Sequence, residues 1–393
     1  MNVLVQSDCQ CQVCGAGSLR EFSAFRSLPR VTSDAFCWPA GGRLCICAEC
    51  GAVQKIVDAQ WRAEIAEIYK QYKIYHQSSG AEQPIFSSRA GGPAPRSVLV
   101  AEFIDGSEPP CETGALLDFG CGNGAALRTF SKRRPRWRLY GCEQSDAVRD
   151  QLKQIDNFVE LFTGEIYMID HTFDLVTLIH SLEHVIEPAE LLSAMRRLLG
   201  ESGRLFVEVP DCGVNAYDLV IADHLTHFTL ETLCRVTQRA GYETLVGTDA
   251  ALPKELSWIG KTARRPVEAP PASPITAEAI GAQIAWLEAQ LQDARRIAHT
   301  SPKFGIFGTS NSGTWMAGAL GDVVTFFVDE DPGRVGREHM GRPIVAPEGV
   351  SNRADVFIPL ATNVAESIAR RHSDKSWQAH IPRSTSLRRS SIS

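Results

Sequence analysis

The alternation of apolar and polar positions divides the chain into stretches of different character. From Ser97 to about Lys261, short apolar runs alternate with segments of helical period. The runs predict strands at Leu116–Phe119, Leu139–Cys142, Phe158–Phe162, Phe173–Ile179, Arg204–Val209 and Glu243–Val246, with a further one at Leu256–Ile259. Strands separated by helical segments point to a doubly wound, parallel α/β sheet. A proline-rich break at 264–275 then reads as a linker. Beyond it, Ile280, Ile284, Leu287, Leu291 and Ala294 recur at helical spacing within a helix expected from Thr276 to about His299. A second α/β unit follows, with strands expected at Lys303–Phe307, Val323–Val328 and Val356–Pro359. Between 61 and 96, an amphipathic stretch around Trp61–Tyr75 and a Gly/Pro/Ser-rich loop read as a helical connector. The Ser/Arg-rich residues 384–393 are expected to be disordered.

Length agrees with several units, because 393 residues exceed the ~250–300 at which single cores stop growing. With 44% hydrophobic and 22% charged residues, the composition is that of a globular protein. No apolar run reaches the ~18 residues of a membrane span. The opening residues lack a basic stretch followed by an apolar core, so no secretory signal is expected. The net charge is −6 and no basic stripe occurs, which argues against a nucleic-acid partner. The expectation is a cytoplasmic protein with neither membrane nor nucleic acid as partner.

Cysteine placement changes this picture. Seven of the 12 cysteines fall within the first fifty residues. Among them stand Cys11-Gln-Val-Cys14-Gly15 and Cys47-Ala-Glu-Cys50-Gly51, two C-x-x-C-G knuckles. The two-residue gap lets both thiolates of a knuckle reach one ion, and the glycine accepts the left-handed turn behind them. Cys11, Cys14, Cys47 and Cys50 therefore predict a closed tetrahedral site for a structural Zn2+, in a zinc-binding domain over residues 1–60. Cys9 and Cys45 lie nearby but outside any such knuckle.

The central stretch carries the chemistry. Leu116-Leu-Asp-Phe-Gly-Cys-Gly-Asn-Gly124 places an acidic residue at a strand end, then a glycine turn, then a helix start. G-x-G-x-G alone is shared with dinucleotide enzymes. Here Glu143 also follows at the end of the next strand, where a carboxylate can accept both hydroxyls of a ribose. His180-Ser-Leu-Glu-His184 matches an H-x-x-E-H string, but it follows an apolar strand and precedes Pro188, so it does not form the helix a zinc protease needs.

This turn resembles that of class I S-adenosylmethionine-dependent methyltransferases. Phe173-Asp-Leu-Val is similar to their fourth strand, His180–Val185 to the loop after it, and Gly203–Pro210 to the fifth strand. The resemblance implies S-adenosylmethionine as cofactor, bound by Asp118, Gly120, Gly122 and Glu143, with adenine near Gly164–Glu165. The methyltransferase domain would span 97–263.

Taken whole, the chain resembles the sugar C-methyltransferases of deoxysugar biosynthesis. These have a zinc-binding N-terminal domain, a methyltransferase centre and a C-terminal Rossmann-like domain without its own cofactor, here 276–383. The paired knuckles, Leu44–Gln54, Gly305–Gly313, Phe326–Pro332 and Met340–Pro347 carry the likeness. It implies a nucleotide-linked keto-sugar as substrate. A base removes a ring proton beside the ketone, and the enolate takes the methyl group. By the family pattern His224 is the base, with Asp223 as its orienting partner or as a second acid–base group. His184 holds the enolate oxygen, and Tyr72 or Tyr75 reaches the sugar. The C-terminal domain is expected to pack on the methyltransferase and help close the cleft.

Two positions depart from the pattern. Ile221 stands where the family has a tyrosine, and Asp249–Ser257 replaces a His-Gly-Gly-Ser stretch. An O- or N-methyltransferase on a sugar of a polysaccharide, glycolipid or natural product is therefore the alternative enzyme. A non-catalytic zinc-bearing binding protein on the same scaffold is the alternative of another class.

Overall fold

In the computed structural model, residues 2–4, 9–72, 82, 84–87, 92–107, 111–265 and 275–383 are described. The central unit is a seven-stranded sheet. Its order across the sheet is Phe158–Thr163, Trp137–Glu143, Gly114–Phe119, Phe173–Ile179, Leu199–Pro210, Glu255–Thr262, Tyr242–Thr248. The first five strands run parallel, and Glu255–Thr262 pairs antiparallel to both of its neighbours. That is the doubly wound α/β class the apolar runs predict. Buried strand residues such as Leu116, Leu139 and Leu175 pack with helices Arg96–Ser107 and Ala125–Arg133 on one face. Leu117, Val176 and Val207 pack with Leu192, Met195, Leu233 and Val236 on the other. Both faces are covered, which is why these strands read as nearly continuous apolar runs.

The cysteine-bearing unit is not a separate layer. Its antiparallel sheet runs from Asn2–Leu4 through Leu19–Phe22, Leu44–Cys47 and Val53–Lys55, and its last strand is Thr226–His227 from the central unit. Thr226 lies opposite Gln54 and His227 opposite Val53. A two-residue strand carries no periodicity of its own, so the division at residue 60 does not reveal this exchange. Helix Ala59–Gln71 follows, capped by Asp58, whose side chain accepts from the Trp61 amide at 2.8 Å.

Helix Ala277–Thr300 buries Ile280, Ile284, Leu287, Leu291 and Ala294, the spacing expected from the sequence. They join one core with Phe22, Leu44 and Val53 of the N-terminal sheet and Phe304, Phe327 and Phe357 of the C-terminal one. The C-terminal sheet has six strands, with Phe304–Phe307 between Val324–Val328 and Asp355–Phe357. Among the described residues, no helix is long and apolar enough to cross a membrane.

Candidate active site

Two features of the fold carry candidate chemistry. The cysteine cluster comes first. Cys11, Cys14, Cys47 and Cys50 present sulfurs all within 4.8 Å of one another, with Cys11–Cys50 at 3.5 Å and Cys14–Cys47 at 3.6 Å. Sulfurs around a tetrahedral Zn2+ stand about 3.8 Å apart, from a ~2.3 Å metal–sulfur bond. The two knuckles are built alike. Gly15 and Gly51, at φ 81° and 72°, donate their amides to the carbonyls of Cys11 and Cys47 at 2.8 and 3.0 Å. Four thiolates this close repel one another, and a dication removes that repulsion. The donor set and spacing fit one.

The second feature is the turn after Gly114–Phe119. Gly120, Gly122 and Gly124 have φ of 77°, 49° and 80°, a left-handed run that side chains resist. A Cβ on Gly120 would collide with Ser181, and one on Gly124 with Leu152 and Ile155. The missing Cβ atoms let Ser181, Leu152 and Ile155 pack directly against the turn. Glu143, half-buried at the end of Trp137–Glu143, accepts from the amides of Gly122 and Gln144 at 2.9 and 2.8 Å. These bonds hold its carboxylate over the turn. Asp118 is buried, accepts from Thr177 Oγ1 at 2.7 Å, and is pushed up to about 7 mainly by burial. Gly164 and Glu165 lie exposed beyond Phe158–Thr163. These residues fit an adenosyl cofactor: acid, glycine cradle and second acid on adjacent strand ends.

Strand Phe173–Ile179 ends in a loop whose first residue, His180, has φ 52°. Such strain persists only where surroundings hold it. Here Glu183, Glu208 and Glu255 surround the ring at 3.2, 3.5 and 3.4 Å, and Arg96 contacts it as well. Burial and Arg96 oppose a charge on His180, but the three carboxylates outweigh them and push its pKa up to about 10. Ser181 ties the loop to the cofactor strand by donating to the Phe119 carbonyl at 2.9 Å. The H-x-x-E-H histidines separate accordingly: His180 faces this carboxylate cluster, whereas His184 faces His224.

His184 and His224 meet edge to face, 4.8 Å between ring centres. His224 is buried, and its Nδ1 lies 2.7 Å from Asp218 Oδ1. Burial works against a charge on His224, yet the Asp218 carboxylate more than offsets it, so its pKa stands above the ordinary value. This corrects the expected pairing. Asp223 does not orient His224, because its carboxylate is taken by Ser33, through the amide at 2.8 Å and the hydroxyl at 2.5 Å. Asp218 holds that place, six residues earlier on the short turn Ala216–Val220. The sequence offers one signal for it, a lone acid in an otherwise apolar run.

His184 also differs from expectation. Its Nδ1 donates to the Asp223 carbonyl at 3.0 Å, which leaves Nε2 an acceptor in the neutral ring. Burial and the neighbouring His224 lower its pKa, so the neutral ring prevails and offers no proton to an enolate oxygen. The donor beside it is Tyr69, whose hydroxyl lies 3.2 Å from His184 Nδ1. Burial, with the charges of Asp223, Glu183 and Glu143, raises the Tyr69 pKa and keeps its phenol protonated. Tyr72 stands at the helix end, 5.5 Å ring to ring from Tyr69, with its hydroxyl 3.4 Å from Ser33 Oγ. Tyr75 lies outside the described residues. Tyr69 is one turn before Tyr72 on a helix whose aromatic spacing reads as packing.

Residues 97–246 match the family described as a methyltransferase domain. The central unit is an S-adenosylmethionine-dependent methyltransferase domain. A ubiquinone biosynthesis O-methyltransferase of Aeromonas salmonicida is 26% identical over 146 residues, covering 32% of this chain and 61% of that protein. A 37.1 kDa transposon protein of Streptomyces fradiae is 34% identical over 104 residues, 25% of this chain and 30% of its own length. The chain thus spans less than two thirds of these curated relatives. A Clostridium acetobutylicum S-adenosylmethionine-dependent methyltransferase superposes over 52% of the chain and 98% of its own, with a TM-score of 0.36 and 11% identity. All these sequence matches fall short of the whole chain, and the family match begins beyond the cysteine-bearing strands and ends before the C-terminal unit.

Proposed function

We propose that the whole chain is a methyltransferase that C-methylates a nucleotide-linked keto-deoxysugar through an enolate. The observation that carries this reading is the buried His224–Asp218 pair, with Tyr69 reaching the His184 ring that packs on His224. A carboxylate on Nδ1 fixes the tautomer of His224 and leaves a lone pair on Nε2. That nitrogen takes the proton from carbon, and Asp218 stabilises the imidazolium that results. Tyr69 donates its hydroxyl to the oxygen on which the enolate charge collects. The family tyrosine is absent because Ile221 is buried and bridges Val31, and Tyr69 supplies the hydroxyl from another element. Asp223 remains as a second acid–base group, and Tyr72 stands at the rim to meet the sugar. S-adenosylmethionine, when bound, supplies the electrophilic methyl group.

A second reading is O- or N-methylation of a sugar. The O-methyltransferase relatives favour it, and the same base would take a proton from a hydroxyl. The two part in one experiment. The protein is incubated with methyl-labelled S-adenosylmethionine and a panel of nucleotide-linked 4-keto-6-deoxysugars, and the products are read by carbon NMR. A label on a ring carbon supports the first reading, and His224→Ala should then slow transfer by about 10²–10⁴-fold. A label in a methyl ether moves the assignment to oxygen. Absence of transfer together with absence of cofactor binding would return the chain to the binding-protein class.

We also assign a structural Zn2+ to Cys11, Cys14, Cys47 and Cys50. Metal analysis of the purified chain should return one zinc, lost together with thermal stability in Cys14→Ser. Retention of the metal in that variant would exclude Cys14 as a ligand. A thiolate-bound zinc fits a reducing, cytoplasmic setting.

A further inference from the structure

Behind His224 lies a row of buried polar groups that proton removal itself does not touch. Asp218 serves two rings: Oδ1 meets His224 Nδ1 at 2.7 Å and Oδ2 meets His227 Nδ1 at 2.6 Å. His227 Nε2 then meets Lys55 Nζ at 2.7 Å, and Nζ donates as well to the Leu219 carbonyl at 2.6 Å. Lys55, Asp218, His224 and His227 are all buried. Lys55 belongs to Val53–Lys55 of the cysteine-bearing sheet, the strand that pairs with Thr226–His227. Its amide also donates to the Leu225 carbonyl at 2.8 Å, one residue beyond His224.

The direction of every hydrogen bond in this row is set by its ends. An ionised carboxylate can only accept, and Lys55, whose pKa burial lowers to about 7 against the pull of Asp218, has protons for both of its bonds as ammonium or as amine. His227 must therefore accept at Nε2 and donate from Nδ1, which makes it neutral. Asp218 then accepts on both oxygens, and His224 carries its proton on Nδ1. Without Lys55, His227 is free to hold its proton on Nε2 instead. It would then turn a lone pair toward Asp218 Oδ2, and a buried carboxylate oxygen would lose its donor. The electrostatics agree with this arrangement. Burial, with the Lys55 charge, takes His227 down to about 4, and the two imidazoles hold Asp218 well below the usual carboxylate range against the effect of burial.

We propose that Lys55 is a positioning residue which, through His227 and Asp218, fixes the ring nitrogen on which His224 accepts a proton. The cysteine-bearing sheet thus contributes to the competence of the base and is more than a prop. This rests on the reading of His224 as base, but its test does not require the acceptor.

The full chain, labelled with nitrogen-15 in histidine, is examined by ring-nitrogen correlation NMR near neutral pH. Signals are assigned by their loss in His224→Gln and His227→Gln. In the wild type, His224 and His227 should both appear as single neutral or hydrogen-bonded rings with the proton on Nδ1. In Lys55→Met, which keeps chain length but removes the donor, His227 should lose its single tautomer and the Nδ1–H population of His224 should fall. Methyl transfer should slow about tenfold in the same variant while S-adenosylmethionine affinity holds. An Nε2–H tautomer of His224 in the wild type overturns the proposal, as does a Lys55→Met spectrum with both rings unchanged. Should Lys55→Met fail to fold, His227→Gln carries the same arm, since it cuts the link between Lys55 and Asp218. Methylation on oxygen, or none at all, would sink the proposed reaction and leave the ring spectra to decide the role of Lys55.

Discussion

Two glycine turns in this molecule begin alike and end differently. In the central unit, Gly114–Phe119 leads through Gly120 into helix Ala125–Arg133, and in the C-terminal unit Phe304–Phe307 leads through Gly308 into Asn311–Leu320. Gly120 and Gly308 both have positive φ, 77° and 84°. In each, an acid at the end of the next strand receives the turn, Glu143 in one and Asp329 in the other. The difference lies in what else reaches that acid. Among the described residues, Glu143 accepts from the backbone amides of Gly122 and Gln144. Asp329 instead takes the Thr309 amide at 3.3 Å, the Thr309 hydroxyl at 3.1 Å and the buried Arg334 guanidinium at 3.5 Å. At the C-terminal turn, side chains already meet the acid, Arg334 among them with the opposite charge. A strand, a glycine and a helix start therefore do not by themselves make a nucleotide site. The state of the acid across the turn decides.

The sharpest way to break this contrast is to crowd each turn. Gly120→Ala places a methyl group against Ser181 on a backbone that side chains resist. S-adenosylmethionine affinity is expected to fall on the order of a hundredfold or more. Gly308→Ala has open space around its Cβ and only the backbone strain to bear. It should cost about 1–2 kcal/mol of stability and leave cofactor affinity unchanged. Calorimetric titration and thermal melts of both variants check the pair. Equal losses of cofactor affinity would mean that both turns serve the cofactor.

Neutralising the acids sharpens the comparison at smaller scale. If Glu143 receives the ribose hydroxyls as proposed, Glu143→Gln should raise the cofactor dissociation constant about tenfold to a hundredfold. Asp329→Asn removes one of the two carboxylates that meet Arg334, the other being Asp331, so the melting temperature should drop while the dissociation constant holds. If Asp329→Asn weakened cofactor binding as Glu143→Gln does, the C-terminal turn would have to be counted part of the site.

Much of this was legible before any coordinates. Phe173–Ile179 forms over the residues its apolar run predicts, and the other central strands extend theirs by a few residues at the ends. Runs buried on both faces announce themselves. The four cysteines were legible for another reason: a knuckle is local, and its spacing states its geometry. The histidine cluster was legible only in part. His184 and His224 were visible from resemblance, but their partners depend on chain segments brought together from far apart. Ser33 reaches Asp223 across 190 residues, and Lys55 reaches His227 across 172. Neither contact leaves a periodic trace. Tyr69 was hidden in another way, since a phenol on an amphipathic helix looks the same whether it packs or donates.

The smallest expected effect concerns the residue that precedes each turn by two positions. It is Asp118 in the central unit and Ile306 in the C-terminal one. Burial has pushed Asp118 up to about 7, so near neutrality it exchanges between acid and carboxylate. S-adenosylmethionine carries a net positive charge and favours the ionised form, which lowers the Asp118 pKa on binding. The sign follows. Below about pH 7 the free protein must release a proton to bind, so affinity rises with pH up to that point and levels off above it. A severalfold gain between pH 6 and 8 is expected, with proton release at pH 6 measurable by titration in two buffers of different ionisation enthalpy. Asp118→Asn should abolish both the release and the slope, because an amide cannot ionise. A slope that survives in this variant would assign the proton to another group and remove Asp118 from what separates the two turns.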